Sequence, residues 1–384
     1  MTALQKTKVI DVTDAQSIYG AKLLADLGAD TIRPELIGGD PLRKRGPFDQ
    51  ETGTSLWYLY FATNRRHFRF DPESEEQASQ LVDLCSNADI LLYSPDSPVA
   101  KHLNVDALKK TNSRLVVIEC SSFGTDGPWK DFKAPDLVAG ALGGSAALTG
   151  DADTPPLKLW GDLNFMVPGS YVAVAALAGL YHMRATEEGQ SVQVPVHECI
   201  ASCLEHAFMW YFCHEYFPQS HARTLPRRGS LHWTDMYHVM TAKNGSVMVT
   251  PAPSVDAQLA WMIEEDAFED LLDPEYQVLG NHRRYVVRMM ELLRKWVATK
   301  DANELFEQAQ ERHLPYGIVN RVDSVAGNPQ LAARDWWKSY SVGDRTIRGV
   351  GAPYQFSKTP VEIKGTPSGT DQSVVDLVGW GESS

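Results

Sequence analysis

Residues 8–35, KVIDVTDAQSIYGAKLLADLGADTIRPE, read as strand, helix, strand. KVIDVT (8–13) is a short β-branched run. The helical pattern of Ile18 to Ala29 stops at Gly28, a C-terminal signal. DTIRPE (30–35) returns to strand. The same alternation continues outward: SEEQASQLVDLCSNA (74–88) as helix, DILLYS (89–94) as strand, VDALKKTN (105–112) as helix and RLVVIECSSFG (114–124) as a long buried strand. Strands alternating with helices make a mostly parallel sheet with both faces covered. The predicted class is therefore α/β, with a large doubly wound domain.

Further along, Phe165 to Met183 reads as one buried helix with Pro168 in its first turn, where a missing N–H is harmless. QSVQVPV (190–196) is a strand, and His197 to Tyr216 a second helix. QSHARTLPRRGS (219–230) has the texture of a linker. From Thr234 the pattern is α+β: a hairpin over 235–252 turning at Asn244-Gly245, then helices over 283–300 and 302–313. YGIVNRV (316–322), a helix around 329–340 and a hairpin over 340–357 follow, and KGTPSGTDQS (364–373) reads as surface cover. The expected domains are 1–220, large and α/β; 221–315, small and α+β; and 316–384, returning to the large one.

Composition narrows the function. With 36 Lys and Arg against 49 Asp and Glu, the net charge of −13 leaves no basic stripe for nucleic acid. The longest apolar run, Met166 to Leu180, holds Pro168 and two glycines and reads as too short for a membrane span. The N-terminus has no signal-peptide pattern. Five cysteines without C-x-x-C suit a reducing compartment, the cytoplasm by default.

Several chemistries lack their signatures. There is no P-loop, no G-x-G-x-x-G after the first strand and no G-x-S-x-G elbow. The glycines of AGALGGSAALTG (139–150) permit close backbone approach and carry nothing alone. Cys199, Cys203 and His206 share a helical spacing, but their apolar, aromatic surroundings favour buried structural residues over a metal site, and no metal is expected. Two basic clusters remain, Arg43-Lys44-Arg45 and Arg65-Arg66, either solvated surface or a seat for a polyphosphate. Asp162 stands just ahead of the long apolar helix. From the residues alone it either caps that helix or, kept ionised by the helix dipole, serves as a nucleophile; the cap is the simpler reading.

These stretches resemble, in order, the motifs of the class III CoA-transferases, the CaiB/BaiF family. AQSIYGAKLLADLGADTIRPELIGGDPLR (15–43) is similar to the family's L-A-D-L-G-A opening and G-G-D-x-x-R. TNRRHFRFD (63–71), ADILLYS (88–94) and SSFGTDGPW (121–129) resemble its next blocks. GDLNFMVPGSYVAVAALAGLYHMRATEEGQSVQV (161–194) resembles the G-D-x-x-x-G block. The likeness spans most of the first 195 residues.

The resemblance implies a Rossmann-like large domain, a smaller α+β domain and an interlocked dimer. It implies that Asp162 is the catalytic nucleophile and that CoA contacts come from Gln16, Arg65, Arg66, Phe70, Ser94, His102 and Lys133. The partners implied are an acyl-CoA and a carboxylic acid, with coenzyme A as substrate rather than resident cofactor, and a homodimer or a heteromer with a related subunit. Departures bear on activity. Pro135 stands where racemases of the family have a His and formate-type transferases a Tyr, so that contact is lost. Racemase, epimerase or lyase chemistry is one alternative, and Pro135, which cannot carry a proton, speaks against the racemase. A catalytically silent CoA-binding subunit is the other alternative, and the retained Asp162 speaks against it. The aromatics Phe48, Trp57, Tyr58 and Trp160 hint at an apolar acyl group.

Overall fold

The computed structural model describes residues 1–216, 224–225, 227, 229, 236–278, 280–342 and 344–363. Most of the expected linker and the 364–373 tail lie outside them. The chain divides into two compact units, one of residues 1–147, 158–224 and 330–384, the other of 148–157 and 225–329.

The first unit is built on β1 (Lys8–Val12), α1 (Ile18–Asp26), β2 (Asp30–Leu36), α2 (Leu56–Phe61), β3 (Arg65–Phe70), α3 (Glu75–Ser86), β4 (Ile90–Tyr93), α4 (Val105–Thr111), β5 (Val116–Ser121), α5 (Asp136–Leu142), α6 (Ser145–Leu148), α7 (Leu163–Thr186), β6 (Ser191–Pro195), α8 (Val196–Ser202) and α9 (Glu205–Phe212). β1 to β6 form one sheet in the order β3-β2-β1-β4-β5-β6, every pair parallel. This is the doubly wound order, and it reverses between β1 and β4. Loops at the carboxyl ends of those strands part there and leave a crevice. Both faces of the sheet are covered: Ile10, Ile32, Ile90 and Leu91 have no exposed surface, and the central β4, ILLY, is a continuous apolar run.

α7 runs through 24 residues, longer than the expected 165–183. Beginning at Leu163, it places Pro168 inside the helix rather than in the first turn. By length and composition α7 is long and apolar enough to cross a membrane, which the Met166–Leu180 run did not suggest. One face, with Val172, Ala176, Leu180 and Met183, is buried in the core under β4 and β5. α1 crosses it closely: a Cβ on Gly20 would lie 2.6 Å from the Gly169 carbonyl oxygen, so only hydrogen fits. The expected helix 197–216 is instead α8 and α9, interrupted at Cys203 and Leu204.

The second unit holds β7 (His238–Ala242), β8 (Gly245–Val249), α10 (Val255–Glu264), α11 (His282–Val297), α12 (Ala302–Glu311), β9 (Gly317–Ile318) and α13 (Val322–Ala326). The Asn244-Gly245 hairpin is formed, and β9 adds antiparallel to β8, which keeps residues 316–329 with this unit. Trp261, Met289 and Leu293 centre its core. α14 (Pro329–Ala333) leads back to the first unit, where β10 (Lys338–Val342) and β11 (Arg345–Gly349) form the expected second hairpin.

Candidate active site

A cavity of about 450 Å³ opens at the carboxyl ends of β1, β2, β4 and β5, on the crevice that the strand order predicts. Asp11, Arg33 and Asp40 line it and are buried. Arg33 donates to Asp11 at 2.9 Å and to Asp40 at 2.7 Å, and Arg65 donates to the other oxygen of Asp11 at 3.0 Å. Burial opposes the charge on Asp11, but Arg33 and Arg65 outweigh it and hold the carboxyl below its usual range. Asp14, on the same wall, has no cation partner among the described residues: burial, with Asp96 nearby, pushes its carboxyl up to about 6.

Asp162 lies on the cavity wall as the residue that opens α7. Its backbone carbonyl accepts from the amides of Phe165 at 2.9 Å and Met166 at 3.1 Å, but its side chain caps nothing. The carboxylate meets Arg45 and Trp57 instead. Arg45 Nη2 donates to Oδ1 at 2.9 Å and to Oδ2 at 3.0 Å, and Trp57 Nε1 donates to Oδ2 at 2.8 Å. The Asp162 side chain keeps 18% of its surface open, within reach of a substrate.

Local sequence builds this grip. Asp40 accepts from the Leu42 amide and, with Pro41 at the first position, winds residues 41–44 into one turn that delivers Arg45. Ser55 caps α2 by accepting from the Tyr58 amide and donates its hydroxyl to the Arg45 carbonyl. That double role sets Trp57 under Arg45, whose guanidinium stacks 4.4 Å from the indole centre. On the other side, Gly161 takes φ +62°, a left-handed conformation that glycine adopts freely. Lys158 donates to the Gly161 carbonyl and lies 2.8 Å from Asp136, so the turn before Asp162 is tied to the start of α5. Asn164, the second residue of α7, donates to Asp136 at 3.0 Å. Two carboxylates thus share the wall, each with its own cation: Asp162 with Arg45, Asp136 with Lys158.

The predicted CoA contacts separate. Gln16 and Lys133 border the cavity, Gln16 accepting from Ser122 at 3.2 Å and Lys133 paired with Asp96. Ser94 is buried against the Ser17 hydroxyl at 2.7 Å. His102 sits edge-on to Phe70, 6.0 Å between rings, and its buried Nε2 meets no hydrogen-bond partner among the described residues. Arg66 is held by Asp30 at 2.7 Å. Arg65 and Phe70 are both fully buried. The Arg65 side chain is 0% exposed, its donors taken by Asp11 and the carbonyls of Phe61, Thr63 and Ile18, while Phe70 belongs to the core beside Phe68. Neither has surface to offer.

Arg45, Trp57, Lys158 and Asn164 were not singled out as site residues by sequence. Arg45 stood in a basic cluster and Trp57 among the aromatics, but nothing in the chain marks a partner 117 residues away. Of the other aromatics, Tyr58 is buried with its hydroxyl 3.2 Å from Glu35, while Phe48 and Trp160 are exposed.

Comparison with known proteins agrees with this architecture. The family model for CoA-transferase family III matches residues 4–372. The chain is 29% identical over 360 residues to the succinyl-CoA:(R)-benzylsuccinate CoA-transferase subunit BbsE of Thauera aromatica, covering 91% of this chain and 87% of that protein. It is 27% identical over 384 residues to the formyl-CoA:oxalate CoA-transferase of Streptomyces avermitilis, covering 95% and 92%. In fold it is similar to a CaiB/BaiF family protein from Brucella suis, with a TM-score of 0.81 at 21% identity over 96% of this chain and 97% of that one. With the doubly wound sheet, the crevice at its reversal point and a family match over nearly the whole length, the chain belongs to CoA-transferase family III.

Proposed function

We propose that this enzyme moves CoA from an acyl-CoA to a carboxylic acid through covalent intermediates on Asp162. One observation carries the reading: the Asp162 carboxylate is not engaged by its own helix but is held at the cavity wall by Arg45 and Trp57. The carboxylate attacks the thioester carbonyl and expels CoA as thiolate, leaving a mixed anhydride. The thiolate attacks the aspartyl carbonyl of that anhydride, giving an enzyme-CoA thioester and releasing the donor acid as carboxylate. The acceptor carboxylate then attacks the thioester. A second anhydride forms, and the thiolate takes the acceptor acyl group and restores Asp162. Gln16 and Lys133, on the cavity wall, are our choice for CoA contacts, with Lys133 exchanging Asp96 for a phosphate.

Proton-shuttling racemase chemistry has less support, because Pro135 beside Asp136 has no proton to give. We assign the working form to a homodimer in the cytoplasm. The free Cys85, Cys120, Cys199, Cys203 and Cys213 suit a reducing compartment. The outward face of α7 leaves Val174 64% and Tyr181 79% exposed, apolar surface that a second copy would cover. The relative named as a subunit makes a heteromer the other outcome of an oligomer measurement. Turnover tests the reading: with a panel of acyl-CoAs and acids, wild type transfers CoA and Asp162→Asn does not.

A further inference from the structure

Charge conservation along that sequence isolates one more residue. At rest the Arg45 guanidinium meets Asp162 through Nη2 alone, and no other acceptor for its side chain is recorded among the described residues. It lies on the cavity wall, 35% exposed. The other cations of that wall are committed elsewhere: Arg33 to Asp11 and Asp40, Lys133 to Asp96. Once Asp162 becomes an anhydride or thioester it is neutral, and Arg45 loses its anion. In the thioester state the carboxylate charge has moved to the free acid, which must sit beside the same aspartyl carbonyl to react.

We infer that Arg45 is the carboxylate-holding residue of the reaction, gripping Asp162 in the resting enzyme and the reacting carboxylate of the free acid in the thioester state. The inference rests on the covalent reading above. Between the resting and thioester states one carboxylate replaces the other, so Arg45 is paired in both, and in the anhydrides between them the negative charge is on the CoA thiolate. Stacking on Trp57 keeps the guanidinium plane in place through the exchange, and its fork can donate two parallel bonds to a carboxylate. Arg45 therefore selects acids over esters and amides without reading the rest of the acyl group.

The test is isotope exchange, which requires no knowledge of the natural acceptor. Wild type, Arg45→Lys and Arg45→Ala are incubated with succinyl-CoA and ¹⁴C-succinate, and separately with formyl-CoA and ¹⁴C-formate. Label entering the acyl-CoA is followed. Loss of one charged hydrogen-bonding group predicts that Arg45→Ala raises KM for both free acids by about 10–100-fold while KM for the acyl-CoA moves less than about 3-fold. Arg45→Lys falls between, and added guanidinium chloride restores part of the exchange by Arg45→Ala. A fall in kcat with both KM values unchanged would mean that Arg45 only orients Asp162, and would overturn the inference. So would a larger rise for the acyl-CoA, or a rise for succinate without one for formate, which would place Arg45 at a remote carboxylate. If wild type exchanges neither acid and shows no CoA adduct on Asp162, the covalent reading falls, and this inference with it.

Discussion

Arg45 and Asp162, 117 residues apart, meet with Nη2 2.9 Å from one carboxylate oxygen and 3.0 Å from the other. Asp162 opens a helix yet leaves the capping of its amides to its backbone carbonyl. A residue kept only as a cap would turn its side chain the other way. Asp162→Asn preserves size and keeps one acceptor oxygen for Trp57, so folding is expected to match wild type by circular dichroism. Turnover is expected to drop by at least about 10³-fold, because the amide is no nucleophile.

Asp14 gives a pH signature. Its native carboxyl titrates near 6 rather than at its ordinary 3.8, because burial disfavours the charge. Between those values the native state holds a proton that the unfolded chain has lost. Stability from this group therefore falls as pH rises through that window, and the cost is fully present above it. Asp14→Asn removes the charge, so its gain in stability over wild type is expected to be larger at pH ~7.5 than at pH ~4.5. The difference is at most about 3 kcal/mol. Paired denaturant titrations at the two pH values measure it.

The α1–α7 crossing is tight enough to sense one methyl group. Gly20→Ala would drive a Cβ to 2.6 Å from both the Gly169 carbonyl and a Val172 methyl. A loss of about 1–3 kcal/mol is expected, seen as a lower Tm, with activity falling too because α7 carries Asp162.

The exposed stripe of α7 tests the assembly. Val174→Glu places a charge in the middle of that apolar face. Sedimentation velocity is expected to show a dimer for wild type and a monomer for the variant. A monomeric wild type, or a variant that stays dimeric, would remove α7 from the interface.

Five of the six strands of the sheet were legible, because KVIDVT, DTIRPE, DILLYS, RLVVIECSSFG and QSVQVPV are local strand signals set off by helical text. β3, RRHFRF, was not read as a strand because its three arginines hide the apolar alternation. α7 was legible as one helix through Pro168 and both glycines, and only its ends were missed: it starts at Leu163, which puts Pro168 inside the helix, and runs on to Thr186. Asp162 was singled out as the expected nucleophile by resemblance, since caps and nucleophiles look alike in sequence. The burial of Arg65 was not legible because its need for a partner is visible in RRHFRF but the partner is not. Asp11 comes from another strand, 54 residues earlier. Arg45 and Trp57 share that difficulty, their meeting with Asp162 being long-range and set by the Ser55 link.

The covalent assignment is tested most directly by trapping. Enzyme is incubated with a competent acyl-CoA donor and no acceptor, then treated with hydroxylamine or borohydride, digested and weighed. An acylated aspartate gives a hydroxamate or an alcohol, each a defined mass change. That change is expected on the peptide containing LWGDLNF, at Asp162, only when donor is present. An unmodified Asp162 in turning-over enzyme, or the same change on Asp136 instead, would contradict it.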